Sequence, residues 1–180
     1  MIPGDLLQID SIFRFKDGIK RYILTAIDYN SGFFFAYGYS HLSSKSGLDF
    51  YQKLEEVVPF KIKAVQTDNG LEFEKYFRDY LEKKGILHFW NYPKHPQMNA
   101  KIERVNRTLK EEFLDYNLSD LFYNLDRFNQ KLMDWLVFYN TKRPHHSLGN
   151  IPPLKYLIEN LGFSTMLWTY TIYVSSHLTK

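Results

Sequence analysis

LLQIDSIFRF, residues 6–15, alternates apolar with polar side chains: Leu7, Ile9, Phe13 and Phe15 fall on one side of an extended chain, Gln8, Asp10 and Arg14 on the other. A period of two predicts a strand with Asp10 near its middle. Gly18 turns the chain into a second run at 21–29, RYILTAIDY, and the turn-forming DYNSG at 28–32 leads to a third at 33–39. Consecutive strands joined by short turns predict an antiparallel meander.

Downstream the period changes. Residues 43–58 predict a helix capped by Ser43 or Ser44, striped by Leu48, Tyr51, Leu54 and Val58 and closed by Pro59. A short apolar strand at 62–67 ends at TDNG, which contains Asp68. A helix over 71–84 follows, burying Phe73, Phe77, Tyr80 and Leu81 and ending at Gly85; 86–91 predicts another strand. Residues 92–113 read YPKHPQMNAKIERVNRTLKEEF. Pro93 and Pro96 force an irregular segment. A helix then starts with Asn99 as cap and carries the stripe Ile102, Val105, Leu109, Phe113 and Tyr116. A long helix opened by Ser119 and Asp120 is expected over 118–140, then a proline-punctuated turn and a short helix over 153–161. The β-like 162–180 is read as an added edge strand or a tail. This order predicts an α/β fold, a mixed five-stranded sheet of three antiparallel strands plus two parallel ones, flanked by helices. The expected organisation is one domain with a helical extension over 1–160 and a tail over 161–180.

At 180 residues and 44% hydrophobic, the chain can bury a core of its own. The 15 Phe, 14 Tyr and 3 Trp are read as packing. Cysteine is absent, which excludes thiol chemistry, disulfides and cysteine-ligated zinc. A formal charge of +3 is compatible with a nucleic-acid partner, though local patches decide that. No secretion signal or membrane-length apolar run is read, so a cytoplasmic protein without a membrane partner is expected.

Asp10 stands out because a carboxylate in a strand built for burial costs several kcal/mol unless its charge is compensated. Asp68 stands out because it ends a strand at the edge where crevices open in α/β sheets. On the helix after the prolines, Glu103, Asn106, Arg107 and Lys110 fall at i, i+3, i+4 and i+7, a face expected to point outward. If the first and fourth strands are neighbours, Asp10, Asp68 and Glu103 can converge as three oxygen ligands for Mg2+ or Mn2+. The plainer readings are an Asp10–Arg14 salt bridge, a turn at Asp68 and a Glu103–Arg107 pair on a solvated helix face.

Asp10 in LLQIDSIF, Asp68 in AVQTDNGLEF and Glu103 in HPQMNAKIERVNRTLKEE resemble the acidic triad of the DDE integrase and transposase superfamily. YNTKRPHHSLGNIPP, with Tyr139, Asn140, Arg143, Pro144, His145, Ser147, Leu148 and Pro152, is similar to the C-terminal signature of its bacterial insertion-sequence members. The resemblance implies a ribonuclease H-like fold and a DDE-type transposase or integrase. Hydrolysis at an element's end and transfer of the freed 3'-hydroxyl into target DNA would share a site with two divalent ions held by Asp10, Asp68 and Glu103. It further implies DNA contacts by Asn69, Gln97, Asn99, Asn106, Arg107 and Lys110, element ends and target DNA as partners, no small-molecule cofactor, homo-oligomers, and a nucleoid-associated bacterial setting.

Relatives usually carry an N-terminal DNA-binding region, whereas this chain opens directly on its first strand, so recognition of specific ends is expected to lie outside it. Ala100 stands where the family commonly has glycine, and a positive φ there would strain it. His145 and His146 are read as structural or DNA-facing. Two alternatives stay open at this point, a remnant that binds DNA without chemistry and a ribonuclease H-like nuclease.

Overall fold

The computed structural model describes residues 1–90 and 99–161. The proline loop with Gln97 and Met98, and the tail with its expected edge strand, lie outside the described residues. Strands β1 (Leu7–Lys16), β2 (Ile19–Asp28) and β3 (Phe34–Tyr39) form the antiparallel meander. Helix α1 (Ser44–Val57) leads back to β4 (Ala64–Thr67), which pairs in parallel with β1. Helix α2 (Tyr76–Lys84) leads to β5 (Leu87–Trp90), parallel to β4. The sheet order is β3-β2-β1-β4-β5, the mixed five-stranded sheet expected, and it places the first and fourth strands side by side. Four more helices follow: α3 (Ala100–Glu112), α4 (Leu118–Tyr123), α5 (Leu125–Thr141) and α6 (Pro153–Leu161).

Local chemistry accounts for most boundaries. Ser43 and Ser46 make a reciprocal capping box that starts α1, and Gly85, at φ +69°, ends α2 in the left-handed conformation. Tyr51, Phe34, Phe50, Phe73, Phe77 and Phe128 are wholly buried, so these rings serve packing. On α1 the buried stripe runs through Gly47, Phe50, Tyr51 and Leu54, a rotation of the one predicted.

Several expectations need correction. The helix over 71–84 is broken: a 3-10 turn at Leu71–Phe73 precedes α2, and Lys75 sits between them at φ +43°. The helix over 118–140 divides at Asn124, whose side chain accepts from the Arg127 amide to cap α5; Ser119 caps nothing, because Asn117 holds the N-cap position of α4. Phe13 and Phe15 were placed with Leu7 and Ile9 on one apolar face. Leu7 and Ile9 are buried, but Phe13 and Phe15 are 58% and 66% exposed, because β1 and β2 run on past the short β4 and its helical cover. Among the described residues no helix is long and apolar enough to cross a membrane.

One edge of the sheet is closed by side chains. On α5, Asn140 accepts from the Phe34 amide at 2.9 Å and donates to the Phe34 carbonyl at 2.8 Å; Asn129 does the same for Gly38 at 2.8 and 3.1 Å. Each carboxamide gives and takes one bond, as a neighbouring strand residue would, so the outer edge of β3 is not left open.

Candidate active site

The site is built where β1, the loop after β4 and the first turns of α3 meet. Register brings the first two together: Leu7 pairs with Val65 and Gln8 with Gln66, so Asp10 is level with Asp68, the residue just beyond β4. Helix α3 is docked on β1 by two hydrogen bonds, from the Ile102 amide to Gln8 Oε1 at 3.2 Å and from Asn106 Nδ2 to Asp10 Oδ2 at 2.8 Å. Four residues of helix rise about 6 Å and two residues of strand about 6.6 Å, so both bonds can form at once only with the helix running along the strand. That alignment carries Glu103 to the same end of the sheet.

Asp10 is the partly buried centre. Its Oδ1 accepts from the Ser11 amide at 2.8 Å, and burial pushes its pKa up to about 6. The charges that add to the rise are all negative: Asp68, Glu103 and Glu72. Asp68 is exposed, with Oδ1 accepting from the Gly70 amide at 3.0 Å, so the turn expected at TDNG is also present. Glu103 is exposed on α3. Neither simple ion pair forms among the described residues: Arg14 donates to the Phe13 carbonyl at 3.0 Å, and no ion pair joins Glu103 to Arg107.

Arg107, Lys110 and Asn69 are exposed as expected, and Asn99 is partly exposed at the start of α3, where its side chain makes no capping bond. Asn106 corrects the sequence reading. It is only 8% exposed and turns inward to Asp10, while its Oδ1 has no hydrogen-bond partner among the described residues. Ala100 begins α3 and is not among the residues of positive φ, so the strain expected there is absent.

Sequence reading gave no role to Glu72, which is 5% exposed with Oε1 accepting from Ser11 Oγ at 2.6 Å. Its only sequence signal was two residues' separation from the TDNG turn. Beside Glu103 a cleft of about 940 Å³ opens between the outer face of α3 and the turn before α6, lined by Arg104, Arg107, Thr108, Arg143, His146 and Ser147 among others. The turn is clamped rather than loose. Arg143 meets Glu112 through two nitrogens at 2.6 to 3.1 Å, and His145 packs on the Tyr139 ring with Nε2 3.2 Å from the Tyr139 carbonyl. His145 is thus held in place where it lines the cleft, and His146 beside it is exposed.

The donor set suits a hard divalent cation: carboxylates from three separate elements, an unpartnered amide oxygen beside them, and no cation among the charges that weigh most on Asp10. As the side chains stand, no three His, Cys, Asp or Glu residues among the described ones are near enough to share one ion.

A family model described as an integrase core domain matches residues 84–153. A putative integrase of Spiroplasma virus SpV1-C74 is 28% identical over 173 residues, 84% of this chain and 47% of that protein. An insertion element IS476 protein of Xanthomonas euvesicatoria is 37% identical over 95 residues, 52% of this chain and 27% of that protein. The chain thus spans less than half the length of these relatives. In three dimensions it is similar to the HTLV-2 integrase catalytic core domain in complex with magnesium, with a TM-score of 0.70 and 18% identity over 87% of this chain and 97% of that one. The fold is the ribonuclease H-like fold of integrase catalytic cores.

Proposed function

We propose that the chain, whose residues 84–153 match an integrase core domain and whose fold is that of integrase catalytic cores, is a metal-dependent polynucleotidyl transferase core of the DDE integrase and transposase superfamily that hydrolyses element 3' ends and joins them to target DNA. One observation carries this reading: Asp68 and Glu103, from separate elements, add their negative charge to a partly buried Asp10, and no cation is among the charges that weigh most on it.

Asp10, Asp68 and Glu103 would hold Mg2+ or Mn2+. Such an ion, when bound, supplies activation of the attacking oxygen and stabilisation of charge on the phosphate. The chain's own residues do the rest. Asn106 donates to Oδ2 of Asp10 and fixes the direction of its carboxylate, while Ser11 holds Oδ1. The Ile102–Gln8 bond ties the first turn of α3, and with it Glu103, to the strand that carries Asp10. Arg107 and Lys110 lie on exposed α3 with Glu103, and Arg107 also lines the cleft, so both suit phosphate contacts that position DNA without reading it. Asn69 and Asn99 flank the same end, and Gln97 is proposed with them.

We place this activity in residues 1–160, with DNA and further copies of the chain as partners. Incubation of the full chain with Mn2+ and a pre-cleaved DNA end tests it. Joined products from wild type, reduced by roughly a hundredfold or more in Glu103→Gln, support the reading. Absence of joining, or unchanged joining by the variant, overturns it. Cleavage of an RNA/DNA hybrid in place of joining would instead make the chain a ribonuclease H-like nuclease.

A further inference from the structure

Glu72 is a buried carboxylate that the proposed chemistry does not use, and three contacts fix it. Its Oε1 takes the Ser11 hydroxyl at 2.6 Å, on the residue that also donates its amide to Asp10. Its carboxyl group fills the space over Gly70, where an added Cβ would stand 2.6 Å from Cδ and Oε2. Gly70 in turn donates to Asp68 at 3.0 Å. From the other side, α1 brings Gly47 so close to the Glu72 carbonyl that a Cβ there would lie 2.1 Å from the oxygen. A helix-interior glycine costs roughly 0.5–1 kcal/mol against alanine, so its use at Gly47 follows from this approach.

Glu72 therefore sits between the strand of Asp10 and the loop of Asp68, anchored from beneath by α1. Side chains alternate along β1. Gln8 and Asp10 face α3, and Ser11 faces the other side, where Glu72 lies. The carboxylate thus braces the two acids from behind without entering the space between Asp10 and α3.

We propose that Glu72 is a positioning residue that sets the spacing of Asp10 and Asp68, and thereby the site's affinity for a divalent cation. The inference rests on the reading of those two acids as metal ligands. Groups that orient metal ligands typically contribute 10- to 100-fold to metal affinity. Gln at 72 keeps the length and an acceptor for the Ser11 hydroxyl; Ala keeps neither.

The test is titration of Mn2+ alone against the full chain, followed by the rise in melting temperature and by calorimetry. Glu72→Ala should weaken Mn2+ binding by about tenfold or more, with Glu72→Gln within about threefold of wild type. Ser11→Ala, which removes only the hydroxyl, should fall between them and serves in place of Glu72→Ala should that variant fail to fold. A purely structural role would lower the metal-free melting temperature while leaving Mn2+ affinity in place, and that outcome overturns the proposal. So does a Glu72→Gln loss as large as that of Ala, since the charge rather than the brace would then matter. If wild type itself shows no Mn2+ binding, the metal-site reading fails and takes this inference with it; if wild type binds and Glu72→Ala or Ser11→Ala binds equally, only the role of Glu72 is lost.

Discussion

Two aspartates on adjacent strands, Asp10 on β1 and Asp28 at the end of β2, share the sheet and meet opposite fates. Each has its pKa raised, with burial the largest cause in both. Asp28 is 1% exposed and fully answered: Oδ1 takes the Gly4 amide at 2.8 Å, Oδ2 takes the Ser31 amide and hydroxyl at 2.6 and 2.7 Å, and the Lys101 ammonium draws its pKa back down. Asp10 has an amide and a carboxamide, and its charged neighbours are other carboxylates. Burial of an acid is therefore no sign of a site. The sign is burial whose electrostatic cost the fold leaves uncorrected.

The contrast can be broken from the Asp10 side with the largest effect. Glu103→Gln should lower DNA joining by roughly a hundredfold or more with the fold intact, measured by strand-transfer assay beside circular dichroism. On the Asp28 side the effect is on folding. Asp28→Ala leaves several donors in a closed site without an acceptor and should cost about 2–4 kcal/mol in urea unfolding, with little further change when Mn2+ is added. A result in which Asp28→Ala unfolds like wild type would erase the distinction between the two acids.

Asp10→Asn sharpens the comparison in the opposite direction. Without metal it removes a repelled charge, so the variant should melt at the same or a higher temperature. The pH dependence fixes the sign. A pKa of about 6 in the fold, against roughly 3.9 in the unfolded chain, means the protonated carboxyl favours the fold. That favour is complete below about pH 4 and is lost as pH rises through about 6. Metal-free wild type should therefore lose on the order of 2 kcal/mol relative to Asp10→Asn between those limits, read from denaturation curves in chelator. A flat difference would mean Asp10 is compensated after all. The smallest effect belongs to Arg107→Ala, which should weaken DNA binding only modestly and lower its salt slope by about one.

The sheet and the placing of Asp10 were legible because they depend on local alternation and on the order of elements. The breaks at Lys75 and Asn124 were not, because apolar spacing runs on through both, and only a φ of +43° at one and a capping carboxamide at the other interrupt the helices. Phe13 and Phe15 had the right parity for β1, but alternation cannot tell how far the covering elements extend. Asn106 was read outward because its neighbours on that face are charged; its inward turn depends on a strand 96 residues earlier in the chain. Glu72 drew no reading at all, since its burial depends on a glycine of α1 and a serine of β1 that no local pattern connects to it.

Crystals of the full chain soaked in Mn2+ and recorded at the manganese absorption edge put the central idea to its most direct test. An anomalous peak within coordination distance of Asp10 and of Asp68 or Glu103 is the result predicted. A saturating soak with no peak there, or with manganese bound only at other surface carboxylates, would contradict it.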